Sequence, residues 1–353
     1  MRLVMSPEML DTINRAARRR ILGRGNLTLT GLGLGGAPLG NLYQAVDEAE
    51  ADHVVDAAWQ GGIRYFDTAP LYGSGLSERR MGRALARRPR DEFVLSSKVG
   101  WLIGPGDGVR RDGPYVGLES GPRQCDYSYD GTLRSLEASL LRLGLDHIDI
   151  VYIHDLDTAG HGEALGARYT EAMNGAYRAL ARLRDDGVVG AIGLGVNEWQ
   201  VCGRLLADAD PDCFLLAGRY SLLDQSALVS FLPSCAKRGV GVVIGGAFNS
   251  GILATGPVSG ARYDYQPASS EIMTRAARLD AVCRRHGVPL AAAALQFPSF
   301  HPAVVSVIPG ARTAAEMAAN LDLFSRTIPP ALWQELHEEG LLPAEAPVPT
   351  GRA

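Results

Sequence analysis

Cysteine is scarce in this chain. The 353 residues contain five, at Cys125, Cys202, Cys213, Cys235 and Cys283, with no CxxC pair and no Cys/His ligand spacing. A disulfide framework and a bound metal are therefore not expected, and the thiols read as the reduced cysteines of a cytoplasmic protein. Long apolar runs are missing too. No stretch of eighteen apolar residues occurs, so no membrane-spanning helix is expected, and the N-terminal segment lacks the unbroken apolar core of a secretory leader. Neither sign of charge dominates: 35 Lys and Arg against 39 Asp and Glu leave a formal charge of −4. That balance offers nothing to attract nucleic acid or an anionic membrane. The one basic cluster, RAARRRILGR at 15–24, reads as a solvated amphipathic helix or as a contact between copies of the chain. What is plentiful is apolar residue, at 46%, enough for one large core.

Apolar strand runs alternate with helix-period segments along the whole sequence. LTLTGLGLG, GIRYFD, FVLSSK, IDIVYIH, VVGAIGLG, CFLLAGRY, GVGVVIGG and AVVSVIP are the strand candidates. The helical stretches that follow them are 47–60, 77–88, 131–143, 170–186, 199–207, 225–238, 269–286 and 314–323. Eight strand–helix units are the count of a (β/α)8 TIM barrel, an α/β fold. An N-terminal extension (1–26) precedes the barrel (27–342). An extra helix at 289–297 and a C-terminal helix at 332–339 complete it, and a Pro-rich tail (343–353) reads as poorly ordered. Two long loops, 101–126 and 156–168, follow the third and fourth strands and are expected to shape a substrate pocket.

Three strand candidates end on residues able to do chemistry. GIRYFD ends on Asp67, EFVLSSK on Lys98 and IDIVYIH on His154, while Tyr72 lies five residues past Asp67 in FDTAPLYGSG. In a β/α barrel all four converge on the C-terminal rim. A free tyrosine, with a pKa near ~10, is a poor acid or base at neutral pH. A neighbouring lysine cation lowers that value. Asp67 then holds and balances Lys98, and His154 hydrogen-bonds the reacting oxygen. The set suits hydride chemistry, in which one proton moves as the hydride moves, so a nicotinamide cofactor is implied.

The chain resembles the aldo-keto reductase superfamily. GLGLGG at 31–36, FDTAPLYGSGLSERRMG at 66–82, LSSK at 95–98, YIHD at 152–155, GLGVNE at 193–198 and IPGARTAAEMAANL at 308–321 carry the resemblance, over roughly 27–323. It implies Asp67, Tyr72, Lys98 and His154 as the catalytic tetrad. Tyr72 and His154 become substrate contacts, and Trp101, from its place in the long loop after Lys98, is a candidate wall or stacking surface for a sugar or other ring, loop packing being an equal reading. Asn197 matches the residue that holds the nicotinamide carboxamide. Ala217 and Gly245 stand where the family places a glutamine and a stacking aromatic, which shifts those contacts to Arg219 or Phe248. GLGLGG is read as the first barrel strand, its small residues including Gly36 leaving room for the nicotinamide, rather than as a Rossmann fingerprint. Phe248, Asn249, Ser250, Gly251 and Leu253 match the segment that crosses the pyrophosphate, an ordinary turn being the alternative.

The last unit bears on cofactor choice. Beyond Pro309, the lysine and arginine of NADP-specific relatives are replaced by Gly310 and Glu316. A carboxylate there accepts hydrogen bonds from ribose hydroxyls and repels a 2′-phosphate, while Arg312 stands near enough to pair with that phosphate. Asn320 matches an adenine contact. NAD is favoured, with some use of NADP. GLGGAPLGNLY, AGRYSLLDQ and GGAFNSGIL look most like bacterial sugar 1-dehydrogenases of the D-threo-aldose and L-fucose type, and pyridoxal 4-dehydrogenases share much of the pattern. The expected reaction is oxidation of the anomeric hydroxyl of an aldose to a lactone. Oxidation of pyridoxal, NADPH-dependent aldehyde reduction, and a non-catalytic nicotinamide-binding subunit are the alternatives. Oligomeric state is left open by the sequence.

Overall fold

The computed structural model describes residues 16–23, 25–106, 110–118 and 121–350. Eight parallel strands form one sheet: β1 (Leu34–Gly35), β2 (Tyr65–Asp67), β3 (Val94–Val99), β4 (Ile150–His154), β5 (Ala191–Val196), β6 (Cys213–Ala217), β7 (Gly241–Gly245) and β8 (Val304–Ile308). Each pairs with its neighbour in chain order. The parallel bridges Leu32↔Val307 and Gly35↔Gly310 join the first strand region to the last and close the barrel. Helices α1 (Glu48–Gln60), α2 (Leu76–Leu85), α3 (Tyr129–Leu143), α4 (Ala176–Asp185), α5 (Trp199–Asp208), α6 (Phe231–Arg238), α7 (Ser270–Arg285) and α8 (Ala314–Ser325) alternate with the strands as a (β/α)8 barrel requires. Side chains of Asp47, Ser128, Ser269 and Thr313 accept backbone N–H groups at the starts of α1, α3, α7 and α8, as good N-caps do. No helix among the described residues is long and apolar enough to cross a membrane.

The strand period of two sorts the core into two layers. Tyr65, Ile150, Tyr152, Ala191, Cys213, Leu215, Val243, Val305 and Ile308 pack together inside the barrel, with Leu22 and Leu29 closing its lower end. Val151, Ile153, Ile192, Leu194, Phe214 and Leu216 pack outward against the helices. Asp67, Lys98 and His154 have inward parity, as the next step after Tyr65, Ser96 and Tyr152. They form the top layer of the interior, where the apolar filling gives way to polar groups.

Several segments depart from the sequence reading. LTLTGLGLG is two strands, because Thr28–Thr30 turns away to pair antiparallel with Arg19–Ile21 under the barrel. The amphipathic-helix reading of 15–24 therefore fails over 19–21, where Arg20 reaches the carbonyls of Val304 and Ser299. Residues 1–15, Arg24 and 351–353 lie outside the described residues. The segment from Pro343 packs, with Ala346 buried and Val348 against the core. The stretch 101–126 contains antiparallel pairs, Trp101–Ile103 with Arg123–Cys125 and Arg110–Asp112 with Tyr115–Leu118. The stretch 156–168 is largely helical. Helix 170–186 breaks at Gly175, where a Cβ would collide with the carbonyl of Tyr127. Only Phe231–Arg238 of 225–238 is helical.

An ion-paired seam between α1 and α2 supports the rim. Arg80, nearly buried, donates to Leu39 O, Asn41 Oδ1 and Val46 O, pinning the loop after β1. Arg83 and Arg87 bridge Glu48, Asp52 and Asp56. Burial raises the Glu48 and Asp52 carboxyls, but hydrogen bonds from Arg83, joined by Arg80 and Arg87, outweigh it and leave both below the ordinary range. A depressed carboxyl contributes stability above its unfolded value, near ~4, and loses it as pH falls through the folded value. Asp52→Asn should accordingly lower the urea midpoint at pH 7, with the gap to the parent narrowing as pH falls below about 4. A gap that stays constant with pH would contradict the pairing.

Candidate active site

The C-terminal rim brings Asp67, Tyr72, Lys98 and His154 together. Lys98 Nζ donates to Asp67 Oδ2 at 2.8 Å, Asp67 Oδ1 at 3.0 Å and Thr68 O at 2.9 Å. Those contacts use all three ammonium protons. Ser96 adds a further donor to Asp67 Oδ1 at 2.7 Å. Lys98 Nζ also lies 4.6 Å from the centroid of the Tyr72 ring, and the Tyr72 and His154 rings meet edge to face at 5.8 Å. Burial raises the Asp67 carboxyl and the Lys98 ammonium opposes that rise. Burial lowers His154, helped by Lys98 and Arg123, so its imidazole is neutral.

Tyr72 departs from expectation. Burial first, then the Asp67 carboxylate, raise its phenol well above the ordinary value. Lys98 does not supply the depression anticipated from its charge, because Asp67 neutralises that charge at hydrogen-bond distance. The ligand-free phenol is a protonated donor.

A wall of aromatic side chains surrounds this group. Tyr115 stacks on Tyr72 at 6.4 Å. The loop after β1 and the excursion after β3 are zipped together by Tyr43 N–H to Pro114 O, Val116 N–H to Asn41 O and Asn41 Nδ2 to Val116 O. Burial first, then neighbouring ring hydroxyls and carboxylates, disfavour ionisation of these rings: Tyr115 and Tyr265 act on Tyr72, and Tyr43 acts on Tyr115 and Tyr265. On the other flank Trp101, half-buried, stacks on His161 at 6.0 Å and 7°. The Tyr127 hydroxyl donates to His154 O at 2.6 Å and sits 2.9 Å from His161 Nε2. Trp101 thus forms part of a ring cluster behind His154. Tyr43, Tyr115, Tyr127, His161 and Tyr265 were not anticipated. They sit in loops without periodicity, and only their aromatic character on rim segments could have marked them. Asp155, directly after His154 in YIHD, was visible but given no role.

The residues aligned with a cofactor site lie mainly along β5–β8. The Asn197 carboxamide carries no hydrogen bond among the described residues, while its backbone N–H donates to Asp157. Asn249 is buried, donates to Gly218 O at 3.1 Å, and leaves its Oδ1 without a partner. Asn249, Ser250 and Gly251 have φ of 44°, 60° and 106°, a sharp turn at the end of β7. Asn320 donates to Gly310 O at 3.3 Å. An orphaned buried acceptor and an uncommitted carboxamide fit a nicotinamide dinucleotide, which supplies amide donors and acceptors.

Other candidates are committed elsewhere. Arg219 makes a bidentate pair with Asp264, both contacts 2.9 Å, so it does not stand free for the nicotinamide. Ser250 Oγ accepts the Tyr265 N–H. Leu253 is buried in the core and Phe248 packs against it. The glycines of GLGLGG serve close strand packing rather than leaving room. A Cβ on Gly36 would lie 2.6 Å from Asp67 O and 2.7 Å from Ser77 Oγ, and one on Gly35 would lie 2.9 Å from Ile308 O. The Pro309 carbonyl accepts the Gly35 N–H across the barrel seam.

Comparison with known proteins bears on these arrangements. The aldo/keto reductase family model matches residues 31–339. A pyridoxal 4-dehydrogenase from Microbacterium luteolum is 44% identical over 339 residues, 93% of this chain and 99% of its own length. A D-threo-aldose 1-dehydrogenase from a Pseudomonas species is 41% identical, covering 90% and 96%. Among solved structures, an aldo-keto reductase from Bacillus halodurans superposes with a TM-score of 0.70 at 26% identity, covering 93% of this chain and 97% of that one.

Proposed function

The chain belongs to the aldo/keto reductase family, and from that premise we propose that it oxidises the anomeric hydroxyl of an aldose, in its cyclic hemiacetal form, to a lactone with a nicotinamide cofactor. The observation that carries this reading is the rim group itself, with the Tyr72 ring in contact with both the Lys98–Asp67 pair and His154. An oxidised nicotinamide, when bound, would supply the hydride acceptor that side chains cannot. In the oxidising direction the Tyr72 phenol first loses its proton to solvent, and the phenolate then takes the proton of the anomeric hydroxyl. In the reverse direction the protonated phenol gives its proton to the carbonyl oxygen as an acid. His154 orients the reacting oxygen. Lys98 and Asp67 form a net-neutral support against the Tyr72 ring. Asn197, Asn249 and Asn320 would hold the cofactor, with backbone of 249–251.

Oxidation of pyridoxal is the second reading, favoured by the 44% identical relative and by the aromatic wall, which suits a flat ring. Both substrates form cyclic hemiacetals, so the chemistry at Tyr72 is shared. A panel of aldoses and pyridoxal, each with NAD and NADP and followed by absorbance of the reduced cofactor, separates them. Turnover of pyridoxal alone overturns the sugar reading. Cofactor binding without any turnover would support a non-catalytic subunit.

We also propose a preference for NAD. Arg312 and Glu316 pair with each other, Nη2 to Oε1 at 2.8 Å, and Glu316 also accepts the Arg312 N–H. The carboxylate thereby occupies Arg312, the cation that would suit a 2′-phosphate. Glu316→Arg should shift the ratio of kcat/KM for NADP over NAD upward by at least about tenfold, one charge-assisted contact's worth. A lysine at 310 is no useful addition, because a Cβ on Gly310 would sit 2.5 Å from Pro38 Cγ. An unmoved ratio would place the 2′ end of the cofactor elsewhere.

A further inference from the structure

Asp155 is the first residue beyond β4. Strand parity turns Ile150, Tyr152 and His154 inward, so a continued strand would aim residue 155 out toward the helices. Instead Asp155 has φ of 51°, a left-handed conformation unusual for a residue with a side chain. Its backbone is held there by the Asp155 N–H donating to Gly195 O at 3.0 Å. The turn brings its carboxylate to 3.4 Å from His154 Nε2. Backbone strain of this kind collects at functional sites.

The carboxylate is short of donors. The His154 contact is its sole charged-group contact within 4.0 Å among the described residues, and no hydrogen bond to its oxygens is present among them. Lys98 is consumed by Asp67 and Thr68. The charge of Asp155 is felt by the hydroxyls of Tyr72, Tyr115 and Tyr265, which places it among the aromatic wall. Its side chain remains 30% exposed. Burial, then the charge of Asp157, push its carboxyl up to about 7. Its remaining hydrogen-bonding capacity is open to water or to a ligand, and a substrate that displaces that water must bring donors of its own.

Resting on the sugar reading above, we propose that Asp155 is a specificity-determining residue that binds the hydroxyl on the carbon next to the reacting one. Tyr72 and His154 flank the reacting oxygen, and Asp155, adjoining His154, meets the next oxygen along the substrate. The site then selects a 2-hydroxy aldehyde or its cyclic hemiacetal over a simple aldehyde.

The test compares the parent with Asp155→Ala and Asp155→Asn, in oxidation of an aldose and its 2-deoxy analogue, and in reduction of glyceraldehyde and propanal. Dissociation constants for NADH, read by fluorescence, serve as the check on folding and on the cofactor site. Loss of a hydrogen bond to a charged group should lower kcat/KM for the aldose and for glyceraldehyde by about 10- to 100-fold, mainly through KM. The 2-deoxy sugar and propanal should stay within about threefold, since they never made that contact. Equal losses on all four substrates would mean that Asp155 acts by positioning His154, and no loss would mean that it contacts nothing. Either result overturns the proposal. If the parent oxidises no aldose, the sugar reading falls, while the ratio of glyceraldehyde to propanal still decides the role of Asp155.

Discussion

Replacing Tyr72 by Phe should lower kcat by about 10²–10⁴-fold, the usual cost of losing a positioned acid–base group. The expectation is specific to the oxygen. A phenylalanine ring keeps the stack on Tyr115, the edge contact with His154 and the packing beside Lys98. No hydrogen bond of the fold depends on the Tyr72 hydroxyl among the described residues. Thermal stability and the dissociation constant for NADH should therefore match the parent. A variant within about threefold of the parent in kcat, where chemistry limits turnover, would remove Tyr72 from the proposed mechanism.

The second large effect is expected at Lys98. Lys98→Met strips three hydrogen bonds from a fully buried site and leaves the Asp67 carboxylate without its counter-charge. Breaking a buried pair by removing one partner costs about 3–5 kcal/mol. The double variant Lys98→Met/Asp67→Asn removes the orphaned charge as well and should recover much of that loss in the urea midpoint. Turnover should not recover, since the Lys98 ammonium that packs 4.6 Å from the Tyr72 ring is gone in both. Full activity in the double variant would show that the pair serves only the fold. The mutual neutralisation of Lys98 and Asp67 also decides between two electrostatic pictures of Tyr72. A free lysine cation would hold the phenol low in the ligand-free protein. The structure instead has a neutral pair and a phenol raised by burial.

Asp67, Lys98 and His154 were legible in the sequence because a strand has a period of two. Each stands two residues beyond an inward-facing position, so a correct strand assignment places all three in one layer. The barrel was legible from the count of alternating units. What escaped depends on pairing and backbone turns. Arg219, Arg312 and Ser250 look available in the sequence, yet each is taken by a local partner: Asp264, Glu316 and the Tyr265 backbone. Asp155 is printed beside His154, but its inward aim follows from a left-handed turn that strand parity does not contain. The strands within 101–126 run three or four residues among glycines and prolines, too short for any periodicity. The arginines at 19–20 suggested a helix face, whereas their strand is set by antiparallel pairing with Thr28–Thr30.

One measurement reaches the central claim directly. An aldose carrying deuterium on its anomeric carbon is oxidised by the protein with NAD, and the reduced cofactor and the sugar product are isolated. Direct hydride transfer predicts that the deuterium moves to the nicotinamide ring, that the product is the lactone without label at that carbon, and that Tyr72→Phe suppresses both. Retention of deuterium in the sugar, or reduced cofactor without it, would contradict the account.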